Sequence, residues 1–141
     1  MRLDHVGIAV ARLDDALAFW TGQLGATLKG IEEVASQKVR VAFLVTGASK
    51  TELLEPISED SPIAKFLASG RSGVHHLAYR VDDIDARLRT LARDGVRLIH
   101  ERAVPGSRGT KVAFIHPKSA DGVLLELVEY PESESDSRGP H

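Results

Sequence analysis

The chain has 141 residues, of which 43% are hydrophobic and 27% charged, with a formal net charge of −2 and no cysteine. This balance offers no basic face for nucleic acid, and no apolar run approaches the ~20 residues that cross a membrane. Without cysteine, disulfides, zinc–thiolate sites and thiol nucleophiles are excluded, and the expectation is a cytoplasmic protein of one domain, or of two small halves sharing a core.

In chain order, Leu3–Val10 reads as a strand, and the stretch MRLDHVGIAV lacks the long apolar core of a signal peptide. Leu13–Leu24 places Leu13, Leu17, Trp20 and Leu24 on one helical stripe, with Gly25 as the stop. Val39–Val45 and Thr51–Ile57 are β-rich runs. Ser61 can cap a short helix that has Pro62 in its first position and runs to about Leu67. The order then restarts. Val74–Val81 is a strand, and Asp82–Arg93 is a helix with Ile84, Leu88 and Leu91 inward and Gly95 as its stop. Val96–His100, Thr110–His116 and Val123–Tyr130 are further strands. Residues 131–141, PESESDSRGPH, carry no large apolar side chain and read as a disordered tail.

The restart is an internal repeat. His5 and His76 lie 71 residues apart, and Asp14 with Asp85, Leu17 with Leu88, and Val41-Ala42-Phe43-Leu44 with Val112-Ala113-Phe114-Ile115 match at the same offset. Thr51-Glu52-Leu53-Leu54-Glu55 matches Leu125-Glu126-Leu127-Val128-Glu129 at offset 74, as a three-residue insertion in the later loop would give. Each half therefore reads strand, helix, then about three strands. Residues 1–130 form one domain of two repeats, about 1–70 and 71–130.

Alternation along a strand sorts the polar residues. His5 shares a face with Gly7 and Ala9, while Val6, Ile8 and Val10 suit packing on the helix. In the repeat, His76 falls with Ala78 and Arg80, and its neighbour His75 falls on the helix-packing face as a core residue. Glu126 sits inside VLLELV, where a lone buried carboxylate costs several kcal/mol unless it meets a cation or takes up a proton. Glu52, in TELLEP, has the same conflict.

His5, Glu52, His76 and Glu126 thus form one histidine and one carboxylate per half. A pseudo-two-fold arrangement would unite them around a divalent ion such as Co, Ni, Mn, Fe or Zn, leaving two of six octahedral positions for water or substrate. His116 is either a strand-end turn residue or part of the cleft, and His100 and His141 read as solvated. The loop PGSRGTK is either a hairpin connection or an anion cradle of backbone N–H groups helped by Arg108 or Lys111.

The stretches LDHVGIAV, HHLAYRV and LLELVEY resemble the metal-binding strands of the vicinal-oxygen-chelate superfamily, to which glyoxalase I belongs. Within it, TELLEPISEDSPIAKFL, GVHHLAYRVDDIDA and FIHPKSADGVLLELVEYP resemble the methylmalonyl-CoA epimerase family. The resemblance implies an α+β fold in which two tandem βαβββ modules form a curved mixed sheet around a metal-binding cleft, with ligands at His5, Glu52, His76 and Glu126. It further implies Co(II) as the first metal, with Mn, Ni or Zn as alternatives, a small-molecule CoA thioester substrate, a metal-stabilised enolate, a homodimer and a place in propionate metabolism. Glu126 and Glu52 are the expected acid–base pair, and Ser107, Arg108, Gly109 and Lys118 are expected to contact substrate. Some members carry a second glutamate where this chain has Val41. A glyoxalase I-type lyase and a metal-free binding module of the same fold are the alternatives.

Overall fold

The computed structural model describes residues 1–71 and 73–132, so the tail reading lies outside the described residues except for its first two. The chain divides into two compact units, one running from His5 to His75 and the other combining Met1–Asp4 with the chain from His76 onward. Their elements are mixed α+β, as expected from the sequence.

The first unit contains β1 (Arg2–Ala9, entering it at His5), α1 (Leu13–Leu17), β2 (Thr27–Val34), β3 (Val39–Thr46), β4 (Ser49–Pro56) and α2 (Pro62–Ala68). Its strand order is β2-β3-β4-β1, with β1 parallel to β4 and the other pairs antiparallel. One face of the sheet buries Ala42, Leu44 and Leu53 with Leu13, Leu17 and Trp20 of the α1 segment, and Ile8 and Val10 join them as their alternation predicts. The other face buries Ala9, Val41, Phe43 and Leu54 with Ile63, Phe66 and Leu67 of α2. Ser61 caps α2 as expected, its side chain accepting from the Ile63 N–H at 3.1 Å with Pro62 following.

The second unit contains most of β5 (Gly73–Arg80), then α3 (Ile84–Arg93), β6 (Val104–Pro105), β7 (Lys111–Ile115) and β8 (Leu125–Glu129), in the order β5-β8-β7-β6. Ile84 and Leu88 of α3 are fully buried against Ala113, Ile115 and Leu127, with Tyr79, Leu91 and Val96 alongside.

The register repeats as the sequence does. Gly7 pairs with Glu52 across parallel β1 and β4, and Ala78 pairs with Glu126 across parallel β5 and β8. On the other side, Phe43 opposes Glu52 and Phe114 opposes Glu126. A second glutamate per unit repeats too. Glu55 accepts from the Leu13 N–H at 3.0 Å, and Glu129 accepts from the Ile84 N–H at 2.9 Å, so each carboxylate caps its unit's helix from the neighbouring strand. Arg40 sits 3.1 Å from Glu55 and Lys111 sits 3.9 Å from Glu129. Glu55→Ala and Glu129→Ala should each cost about 1–2 kcal/mol in urea unfolding. Losses under about 0.3 kcal/mol in both would remove the capping role.

Three expectations are corrected. The helix predicted over Leu13–Leu24 widens to π-helical turns over Ala18–Gln23, where the Leu24 N–H reaches the Phe19 carbonyl, so Leu24 leaves the stripe and is 53% exposed. Strand β2 was not foreseen: TLKGIEEV is polar and half-exposed, and Gly30 lies at a bulge. Val96–His100 is no strand but a single bridge, Leu98 to Ile115. There the Ile99 and His100 N–H groups converge on one carbonyl, that of Phe114, and the His100 ring takes the Phe114 N–H, so the ladder stops.

Candidate metal and acid–base site

Each unit holds one buried histidine–glutamate pair. In the first, His5 on β1 is 4% exposed, and its Nδ1 lies 3.3 Å from Oε2 of Glu52 on β4. In the second, His76 on β5 is equally buried, and its Nε2 lies 2.9 Å from Oε1 of Glu126 on β8. The strand pairing explains both contacts. The residue beside each glutamate on the neighbouring parallel strand is Gly7 or Ala78, too small to screen the carboxylate from the histidine two positions earlier.

The donors suit a first-row divalent ion: imidazole nitrogen and carboxylate oxygen, with no cysteine in the sequence. Glu126 is the most informative member. It is 7% exposed, between Leu125 and Leu127 of β8, an expensive place for a carboxylate unless a cation or an N–H donor faces it. His76 supplies one such contact, and Phe114, opposite Glu126, sets its ring edge-on to His76 at 5.4 Å between centroids. In the first unit the position of the anticipated second glutamate carries Val41, buried against the α2 layer.

The other histidines separate. His75 packs its ring edge-on to Phe66 of α2 at 4.9 Å, so the helix it meets is α2 and not the α3 that Tyr79 and Val81 cover. His116 caps the turn Pro117–Ser119, its Nδ1 accepting from the Lys118 N–H at 3.0 Å. His100 was expected to be solvated but is half-buried. Burial pushes its pKa down, and the charge of Glu126 pulls it partly back. His141 lies outside the described residues.

Ser107, Arg108 and Gly109 form a tight turn between β6 and β7. Arg108 and Gly109 have φ of 55° and 72°, and the Ser107 carbonyl accepts the Thr110 N–H at 3.0 Å. The geometry is that of a hairpin connection. Arg108, Gly109 and Lys118 are exposed.

One cluster was missed in the sequence. Tyr130 donates its hydroxyl to Asp4 at 2.9 Å, and the Arg80 guanidinium lies 4.4 Å above the Tyr130 ring. Asp4 and Arg80 are both nearly buried. The available signal was position: Arg80 follows His76 by four residues on one face, Tyr130 follows Glu126 likewise, and Asp4 precedes His5.

Residues 4–114 match the model of the Glyoxalase/Bleomycin resistance protein/Dioxygenase superfamily, and the chain belongs to that superfamily. Within it, several similar proteins share a narrower description. The crystal structure of methylmalonyl-CoA epimerase from Mycobacterium tuberculosis is 45% identical with a TM-score of 0.88, covering 94% of this chain and 89% of that one. A methylmalonyl-CoA epimerase in complex with methylmalonyl-CoA and NH4+ is 37% identical with a TM-score of 0.86, covering 93% of this chain and 95% of its own. Human mitochondrial methylmalonyl-CoA epimerase is 41% identical over 127 residues, 89% of this chain and 72% of that protein. A probable lactoylglutathione lyase of Vibrio cholerae is 26% identical over 138 residues, 98% of this chain and 97% of that protein.

Proposed function

We propose that this chain interconverts (2R)- and (2S)-methylmalonyl-CoA by removing the proton on C2 from one face and delivering a proton to the other. The observation that carries this reading is the buried Glu126 carboxylate, held against His76, in a chain similar over nine-tenths of its length to epimerases of that substrate.

The C2 proton is flanked by a thioester and a carboxylate, so its loss gives an enolate. Inversion needs a base on one side of that planar species and an acid on the other. Glu126 is the base we assign to one face, taking the C2 proton onto its carboxylate. Its side chain is nearly buried beside Ala78 and Phe114 of the neighbouring strands, and the contact with His76 fixes its orientation. Glu52, paired with His5, is the group we assign to the other face, giving its proton to C2. Reversal of the two roles returns the enzyme to its starting state.

His5, Glu52, His76 and Glu126 are the ligands we assign to one divalent ion, Co(II) first and Mn, Ni or Zn as alternatives. Such an ion supplies, when bound, a positive charge that lowers the energy of negative charge on the substrate oxygens. Ser107, Arg108, Gly109 and Lys118 are assigned to the substrate carboxylate or the CoA arm, supported by two exposed cations, Arg108 and Lys118, on the turns before and after β7. Residues 1–130 are read as one domain of two repeats enclosing the site, supported by the repeated register. A homodimer, a cytoplasmic location and a role in propionate metabolism belong to the same reading and rest on family resemblance. Among the described residues no helix is long and apolar enough to cross a membrane.

The reading is tested by offering purified protein two substrates, methylmalonyl-CoA and the hemithioacetal of glutathione and methylglyoxal. Turnover of the first should exceed turnover of the second by at least ~100-fold, since the two differ in every contact beyond the enolisable carbon. The reverse preference would make the chain a glyoxalase I-type lyase.

A further inference from the structure

The pair Glu126 and Glu52 accounts for proton transfer, and the turn residues are assigned to the substrate carboxylate or the CoA arm, which leaves the thioester oxygen without a protein donor. The second unit holds a group built for that purpose. His100 is fastened to Phe114 by two hydrogen bonds: its Nδ1 accepts the Phe114 N–H at 3.0 Å, and its own N–H donates to the Phe114 carbonyl at 3.3 Å, which also accepts the Ile99 N–H at 2.9 Å. The imidazole rests on the Phe114 side chain, ring centroids 5.8 Å apart. Phe114 in turn opposes Glu126 and touches His76 with its ring edge. His100 is therefore one ring removed from the His76–Glu126 pair.

The contact with Phe114 fixes the tautomer. A backbone N–H can only donate, so Nδ1 must carry a lone pair, and the proton of the neutral ring resides on Nε2. Protonating Nδ1 would break that bond, and losing the Nε2 proton would leave an imidazolate. The ring is thus a neutral donor and not a base. No group among the described residues accepts from Nε2, and the side chain is only half-buried, so the donor is open to a ligand. The position 71 residues earlier carries Lys29, so the device is particular to the second unit.

We infer that His100 is a substrate-binding residue that presents a neutral Nε2–H to an oxygen of the CoA thioester on the His76–Glu126 face. This rests on the epimerase reading above. The donor holds the oxygen in place while charge develops on it, as neutral imidazoles can when their tautomer is locked.

Two variants separate binding from structure. His100→Asn can keep an acceptor for the Phe114 N–H but loses the distal donor, whereas His100→Gln keeps a donor near Nε2 and loses the acceptor. His100→Asn should lose at least ~10-fold in kcat/KM for methylmalonyl-CoA with its Tm retained, and His100→Gln should stay within about threefold at a lower Tm. Activity that follows Tm, with the glutamine variant inactive and the asparagine variant active, overturns the inference. In 15N NMR of the wild type, His100 should show a protonated Nε2 and a bare Nδ1, and the Nε2–H resonance should move on adding methylmalonyl-CoA. The opposite tautomer, or an unmoved resonance with active protein, also overturns it. Wild-type protein inactive on methylmalonyl-CoA removes the epimerase reading and this inference with it.

Discussion

Glu126→Gln is expected to lower proton exchange at C2 of methylmalonyl-CoA by at least ~10³-fold while leaving the protein folded, because a positioned base contributes roughly 10²–10⁴ to the rate and the amide cannot accept the C2 proton. The substitution is nearly isosteric. Its amide oxygen can still accept a hydrogen bond from His76, which stands 2.9 Å from the native carboxylate. Removing a charge that is 7% exposed among Leu125, Leu127 and Val128 should not unfold the sheet. His75→Ala provides the contrast. His75 adjoins His76 in the chain, but its ring lies edge-on to Phe66 of α2, so its loss should cost about 1 kcal/mol of stability and little exchange activity. Calorimetry with deuterium-exchange rates on both variants checks this. Should Glu126→Gln remain active and His75→Ala fall inactive, the faces of β5 and β8 have been assigned the wrong way round.

Loss of either buried histidine should have the second largest effect. His5→Ala and His76→Ala are each expected to weaken Co(II) binding by about two orders of magnitude or more, since even outer partners of a metal ligand are worth 10–100-fold. The repeated register makes the two changes equivalent in kind: each removes the imidazole beside a glutamate whose parallel-strand neighbour is Gly7 or Ala78. Binding should weaken as pH falls, because imidazole and carboxylate must shed their protons to ligate. Calorimetric titration and the visible spectrum of Co(II) report this apart from turnover. If only one of the two variants weakens binding, the ion is held by one unit and the four-ligand reading fails.

What the sequence made legible was whatever recurs. His5 and His76, Glu52 and Glu126 stand in matching patterns, and a pattern repeated at one offset carries information that a lone histidine does not. Local signals also sufficed for α2, where Ser61 and Pro62 mark the cap, and for α3, where Ile84 and Leu88 mark the buried stripe. The failures have physical causes. Strand β2 is polar and half-exposed, so alternation is faint. The Val96–His100 segment has strand composition, but side-chain and bifurcated backbone bonds to Phe114 take the place of a ladder. The capping of α1 by Glu55 and of α3 by Glu129 spans 42 and 45 residues, a distance over which a lone glutamate gives no hint of its target. The Tyr130–Asp4 bond spans 126 residues and was invisible for the same reason.

The central claim is that paired histidine–glutamate sets in a repeated fold drive proton transfer at C2 of methylmalonyl-CoA. The most direct measurement incubates single-epimer methylmalonyl-CoA in D2O with metal-stripped protein, then with Co(II) restored, and follows deuterium at C2 alongside configuration. The account predicts background exchange in the stripped protein. With metal it predicts fast deuterium incorporation accompanied by inversion. Exchange no faster than in buffer, with every divalent ion supplied, would contradict it.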